Sequence, residues 1–83
     1  MRVLYFAWVK EKTGVAAEEL ELPANVETVS DVMDWLRTRG PEFENAFRQS
    51  DVIRAAIDQA HVRPDAPIAG AREIAFFPPV TGG

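Results

Sequence analysis

The sequence contains no cysteine, which excludes disulfides, thiolate metal ligands and any side-chain thiol that might act as a nucleophile or carry sulfur. Histidine is nearly absent too. The single His61 cannot build a zinc site alone, and it reads as a structural or surface histidine rather than a general base. No apolar run approaches the roughly 18 to 20 residues that cross a bilayer, and Met1-Arg2-Val3-Leu4-Tyr5 lacks the apolar stretch and cleavage site of a signal peptide. A cytoplasmic protein with no membrane partner is expected. Cations are in the minority, 9 Lys+Arg against 13 Asp+Glu for a net charge of −4, which argues against nucleic acid as a partner. P-loop, GxGxxG, GxSxG, HExxH and EF-hand patterns are missing. What is present is a chain of 83 residues, 47% apolar and 27% charged, enough for one small core and too short for a separate catalytic domain.

Residues 2–9 are rich in β-branched and aromatic types and predict a strand. Val3, Tyr5 and Ala7 would point to one face, and Leu4, Phe6 and Trp8 to the other. Lys10 to Gly14 reads as a polar turn, and Glu19-Leu20-Glu21-Leu22 as a half-buried strand, hairpin-paired with the first, whose acids face water. Thr28 with Asp31 three residues on is a capping-box variant. Val29, Val32, Met33 and Leu36 then recur at helical spacing until Gly40-Pro41, with Trp35 at the helix edge. Phe43 and Phe47 are expected to plug the open end of the core, in a connection that is irregular or a short helical turn. Residues 52–57 and 61–63 are candidate strands about an Asp58-Gln59-Ala60 turn, and 73–77 is the last strand, stopped by Pro78-Pro79. One main helix with four or five strands predicts an α+β roll, with the domain spanning 1–77 and a tail at 78–83.

The acid pairs Glu18-Glu19 and Glu42/Glu44 read as solvated charge rather than as an acid–base dyad. The tail is more informative. Pro78-Pro79-Val80-Thr81-Gly82-Gly83 would extend ~20 Å at about 3.3 Å per residue. The prolines favour an extended path, and the glycines strip side chains from the tip, so that another protein's backbone can approach closely. A frayed terminus is the alternative.

The opening Val3-Leu4-Tyr5-Phe6-Ala7, the turn at Gly14, Thr28-Val29, Val62 and above all Ala75-Phe76-Phe77-Pro78-Pro79-Val80-Thr81-Gly82-Gly83 resemble the ubiquitin-like sulfur carriers, most closely the small subunits of molybdopterin synthase. The resemblance implies a β-grasp fold with a mixed sheet and no bound cofactor. It makes Gly83 the reactive residue, with Gly82 giving clearance and Pro78, Pro79, Val80 and Thr81 threading into the partner. An adenylating enzyme would use ATP to join Gly83 to AMP. A sulfur donor would convert it to a thiocarboxylate, and the large synthase subunit would pass the sulfur to a pterin precursor, cyclic pyranopterin monophosphate. Leu4, Phe6, His61 and Phe77 are expected at the partner interface, where His61 replaces a usual aliphatic residue. The alternative for Phe6 and Phe77 is packing on one another or on the loops. Asp58 stands where the family commonly has asparagine, and Ala69-Gly70-Ala71-Arg72 replaces its acidic glycine turn. Rival functions are a carrier for thiamin, cysteine or transfer-RNA thiolation, a protein modifier, and a plain interaction domain.

Overall fold

A computed structural model describes residues 1–79. Along the chain lie β1 (Arg2–Tyr5), α1 (Ala7–Thr13), β2 (Ala17–Glu19), α2 (Val29–Leu36), α3 (Pro41–Ala46), β3 (Arg54–Ile57), β4 (Ala60–Val62) and β5 (Glu73–Phe77), with 3₁₀ turns at Arg37–Arg39 and Ser50–Val52. The strands form one mixed sheet in the order β2-β1-β5-β3-β4. β1 and β5 run parallel at its centre, and the other pairs are antiparallel. This topology, with α2 packed on one face, is the β-grasp roll.

The register sorts the side chains into two layers, because residues paired across strands point to the same face. Tyr5, Phe76, Ala55 and Val62 stand side by side on β1, β5, β3 and β4. Val3 and Ile74 form the neighbouring row. These rows meet Val29, Val32, Met33 and Leu36 of α2, which are all buried as their spacing predicts. The Thr28 cap is formed in full: Asp31 N donates to Thr28 Oγ1 at 3.1 Å, while Glu27 N and Thr28 N donate to Asp31 Oδ2 at 3.0 and 3.2 Å. Those bonds from the Glu27 and Thr28 amides hold the Asp31 carboxyl below the usual carboxylate range. Phe43 and Phe47, in and just after α3, close the core as expected, with Tyr5 edge-on to both and Phe47 edge-on to Phe76.

The predicted strand 2–9 is a correction. It stops at Tyr5, and the chain turns at Ala7 (φ 53°) into α1, which buries Val9 and Thr13 and ends at a left-handed Gly14 (φ 78°) whose N–H bonds the Lys10 carbonyl. Residues 10–13 are therefore helix, not turn, and Trp8 lies on α1 rather than on the sheet. The bulky apolar run Tyr5-Phe6-Ala7-Trp8-Val9 misleads because strand propensity reflects packing on a half-buried surface more than any backbone preference. The second strand pairs antiparallel with β1 as expected, but it occupies Ala17–Glu19 instead of 19–22. β3 begins at Arg54 because residues 50–52 form a 3₁₀ turn, and β4 is Ala60–Val62. The turn between them has two residues, Asp58 (φ 48°) and Gln59 (φ 73°), the type I′ geometry suited to a twisted hairpin.

Glu18 is a second correction. Its carboxylate is only 19% exposed; it accepts the Tyr5 hydroxyl at 2.7 Å and a bidentate fork from Arg39 at 2.6 and 3.1 Å. Arg39 in turn lies over the Phe43 ring, 4.5 Å from its centroid. Burial pushes the Tyr5 phenol far above its ordinary value, and the hydrogen bond and charge of Glu18 add to that. For Glu18, burial acts upward, but hydrogen bonds from Arg39 and Tyr5, together with the Arg39 charge, outweigh it and hold the group below its ordinary 4.5.

A group held down in the folded state contributes stability above its unfolded pKa and loses it as pH falls through the folded value. Glu18→Gln is therefore expected to lower stability at neutral pH by about 1 kcal/mol, a figure reduced for partial solvent screening. It should also flatten the loss of stability below pH 4.5. Urea unfolding of both proteins across that range checks it.

Candidate functional site

Among the described residues, no helix or strand covers the sheet face away from α2. Ala17, Leu4, Ala75, Ala56 and His61 cross it in one row over β2, β1, β5, β3 and β4. Phe77 lies two residues beyond Ala75 on the same face, opposite Arg54. The alanine at 56 leaves room above β3, and across that gap the rings of His61 and Phe77 meet with centroids 5.2 Å apart. Leu4, Phe77 and the exposed His61 thus share one open apolar surface. Phe77 packs against His61 of strand β4, a contact that is neither with Phe6 nor with a loop.

Phe6 belongs to the edge of this surface. Its N–H donates to Phe76 O at 3.0 Å, the last rung between the start of α1 and β5. The reversal at Ala7 then carries the backbone away and leaves the ring 49% exposed. On the other flank, Val52 is 36% exposed, two residues before Arg54, the register partner of Phe77. Phe6 and Val52, the large hydrophobics most exposed among the described residues, therefore bracket the end of β5. A sequence reading that puts residue 52 inside a strand misses Val52. The signal was Gln49-Ser50-Asp51, a polar run too turn-like to precede a strand directly.

Pro78 and Pro79 come next as half-buried residues outside any strand; lacking an N–H, they cannot continue the ladder. Val80, Thr81, Gly82 and Gly83, the threading and reactive residues expected from the sequence, lie outside the described residues. β5 is anchored at its other end as well. The Asp58 carboxylate accepts from Arg72 N at 3.0 Å and Glu73 N at 2.9 Å, and Asp58 N donates to Glu73 O at 3.0 Å. Asp58 thus fixes the start of the strand that leads into the tail.

The described residues include no group of three or more side chains able to hold a metal ion, and no helix among them is long and apolar enough to cross a membrane. Glu44, the one member of its pair with a fixed partner, is held below the usual range by its hydrogen bond from Arg37 at 3.1 Å. Glu42 and Glu19 remain exposed. Residues 1–79 thus present an open, largely apolar sheet face beside the end of β5, where Pro78 and Pro79 follow the strand.

A β-grasp domain whose central strand runs out into a proline-initiated tail is the class these features define. The ThiS family model matches residues 3–83, and the chain belongs to that family. It is 35% identical over 83 residues to the molybdopterin synthase sulfur carrier subunit of Escherichia coli, covering 100% of this chain and 99% of that protein. The protein of the same description from Haemophilus influenzae matches to the same extent, again at 35% over 83 residues. Among solved structures, SAMP1 from Haloferax volcanii superposes with a TM-score of 0.72 over 100% of this chain and 98% of that one, at 24% identity; it shares the fold.

Since Phe6 is half exposed and Phe76 fully buried, their truncations should separate folding from surface. Phe76→Ala is expected to cost about 3–5 kcal/mol, whereas Phe6→Ser should stay within roughly 0.5 kcal/mol of wild type. Urea denaturation midpoints decide it, and a large loss for Phe6→Ser would assign that ring to the core.

Proposed function

We propose that this protein is the sulfur carrier of a molybdopterin synthase, with Gly83 as the carrying residue. The observation that carries the proposal is the likeness, across the full 83 residues, to two proteins described as sulfur carrier subunits of that enzyme. The surface of Leu4, Phe6, His61 and Phe77 supports it, because an uncovered apolar face beside the tail's exit suits a protein that works only when docked.

The chemistry can be built from the chain's own groups. A free α-carboxyl is ionised at neutral pH and is a poor electrophile. In an adenylating partner, a Gly83 carboxylate oxygen attacks the α-phosphorus of ATP. The bond to the bridging oxygen breaks, pyrophosphate leaves, and an acyl adenylate results. A donor's sulfur, delivered at the sulfide oxidation level, then attacks the activated carbonyl carbon and expels AMP, leaving a thiocarboxylate on Gly83. The loaded tail enters the large synthase subunit, where its sulfur bonds to the pterin precursor and water then cleaves the resulting Gly83 thioester, leaving the sulfur on the pterin and regenerating the carboxylate. In this reading Pro78 and Pro79 favour an extended path, Val80 and Thr81 set the reach, and Gly82 keeps the approach to Gly83 free of a Cβ. With no cysteine in the chain, no internal thiol competes for the activated carbonyl.

Intact-mass spectrometry after incubation with the adenylating enzyme, ATP and a sulfur donor tests the proposal. One oxygen of Gly83 should be exchanged for sulfur, and a protein with unchanged mass would overturn the assignment. Gly82→Ala should keep the wild-type unfolding midpoint while slowing activation or transfer by about tenfold or more, the scale expected when reacting atoms are misplaced by about 1 Å. An uncleavable residue appended after Gly83 should abolish both steps.

A further inference from the structure

A cleft of about 200 Å³ opens between α1 and the end of α3 with the residues that follow it, lined by Trp8, Lys12, Asn45, Ala46, Arg48 and Gln49. Its polar lining is rich in donors. Two cations and two side-chain amides face it, and no carboxylate does. The Lys12 ammonium rests over the Trp8 ring, 5.2 Å from its centroid. Among the described residues, neither Lys12 nor Arg48 has a carboxylate within 4 Å, whereas Arg37, Arg39 and Arg63 are each paired. Glu44, which feels the Arg48 charge, is already hydrogen-bonded to Arg37. Two cations beside an aromatic wall, in a protein of net charge −4, form a local positive site on a mostly negative surface.

From this geometry we infer that the cleft receives an acidic, Asp- or Glu-bearing segment of a protein that takes the tail. The inference rests on the carrier reading above. The cleft is smaller than the roughly 300–1,000 Å³ typical of pockets that enclose a whole small molecule, but it has room for a carboxylate side chain. Its place fits as well. Trp8 lies two residues past Phe6, whose N–H is bonded to Phe76 O, so a partner covering Phe6 and the end of β5 comes up against the cleft. The exposed acids Glu11 of α1, Glu42 of α3 and Asp51 lie on the flanking segments but do not line the cleft, so the lining itself offers such a segment only cations and amides. Complementarity of this kind sets orientation and association rate more than final affinity.

The test is a Lys12→Glu/Arg48→Glu double variant, both positions being exposed, with a Lys12→Gln/Arg48→Gln variant as the neutral control. Binding to the cognate adenylating enzyme and to the cognate large synthase subunit is measured at about 50 mM and about 500 mM salt, on either side of strong screening. The reversed variant should bind at least one of them about tenfold more weakly at low salt, the neutral variant should fall between, and the loss should shrink at high salt. Unchanged affinity for both proteins, a loss that ignores salt, or binding of inorganic phosphate at the cleft with partner affinities unaltered would each overturn the inference. Unfolding midpoints exclude a folding defect. The exchange of oxygen for sulfur on the wild-type protein is scored separately, so failure of the carrier reading shows there and failure of the cleft shows only in the variants.

Discussion

The parallel pairing of β1 with β5 constrains everything else in this molecule. Two parallel neighbours cannot be joined by a tight turn, so the long segment between Tyr5 and Glu73 must wrap both sides of the pair and return. It does so by placing β2 outside β1, α2 across one face, and the β3–β4 hairpin outside β5. β5 is thus paired along both edges, to β1 and to β3. Its start is held by the Asp58 carboxylate and its end by the bond from Phe6 N to Phe76 O. Pro78 and Pro79 therefore follow the central strand of the sheet, which is restrained along both edges and at both ends.

The two faces of that sheet divide the work. Tyr5, Ile74 and Phe76 bury their bulk against α2 and α3, where each large apolar side chain contributes about 1.5–3 kcal/mol by leaving water. The other face is built from small residues at its middle, Ala56 and Ala75, with larger rings raised around them. Such a surface is flat at the centre and apolar at the rim. It adds little to the domain's own stability, and a partner can cover it without disturbing the core.

Much of this was legible from residues alone. The Thr28–Asp31 capping box and the apolar stripe of α2 are local signals in which propensity, capping and periodicity agree, and β5 is bounded by a proline pair that no interior strand tolerates. α1 was not legible. It has seven residues, no side-chain cap hydrogen bond and a first residue with positive φ; packing on α3 rather than local preference accounts for it. The only local marks were the buried pair Val9 and Thr13, four apart, and the terminating Gly14. Glu18 was misread for a different reason: the arginine that neutralises it is 21 residues away in sequence, and alternation of acid and leucine carries no trace of so distant a partner. The Trp8–Lys12 cleft was hidden with α1, since a strand at Trp8 followed by a turn at Lys12 does not bring those two side chains onto one helical face. The open face was legible through the doubly apolar β1, although the contact of His61 with Phe77 depends on register that composition does not contain.

One consequence concerns handling. The Met1 ammonium donates to Leu20 O at 3.1 Å and lies 3.7 Å from a Glu19 carboxylate oxygen. Because β1 and β5 share a direction, this amine sits at the end of the sheet opposite Phe77. Surface immobilisation or fluorophore attachment through the amino terminus would therefore leave the Phe77 end of the sheet unobstructed, at the expense of one charged anchor beside β2.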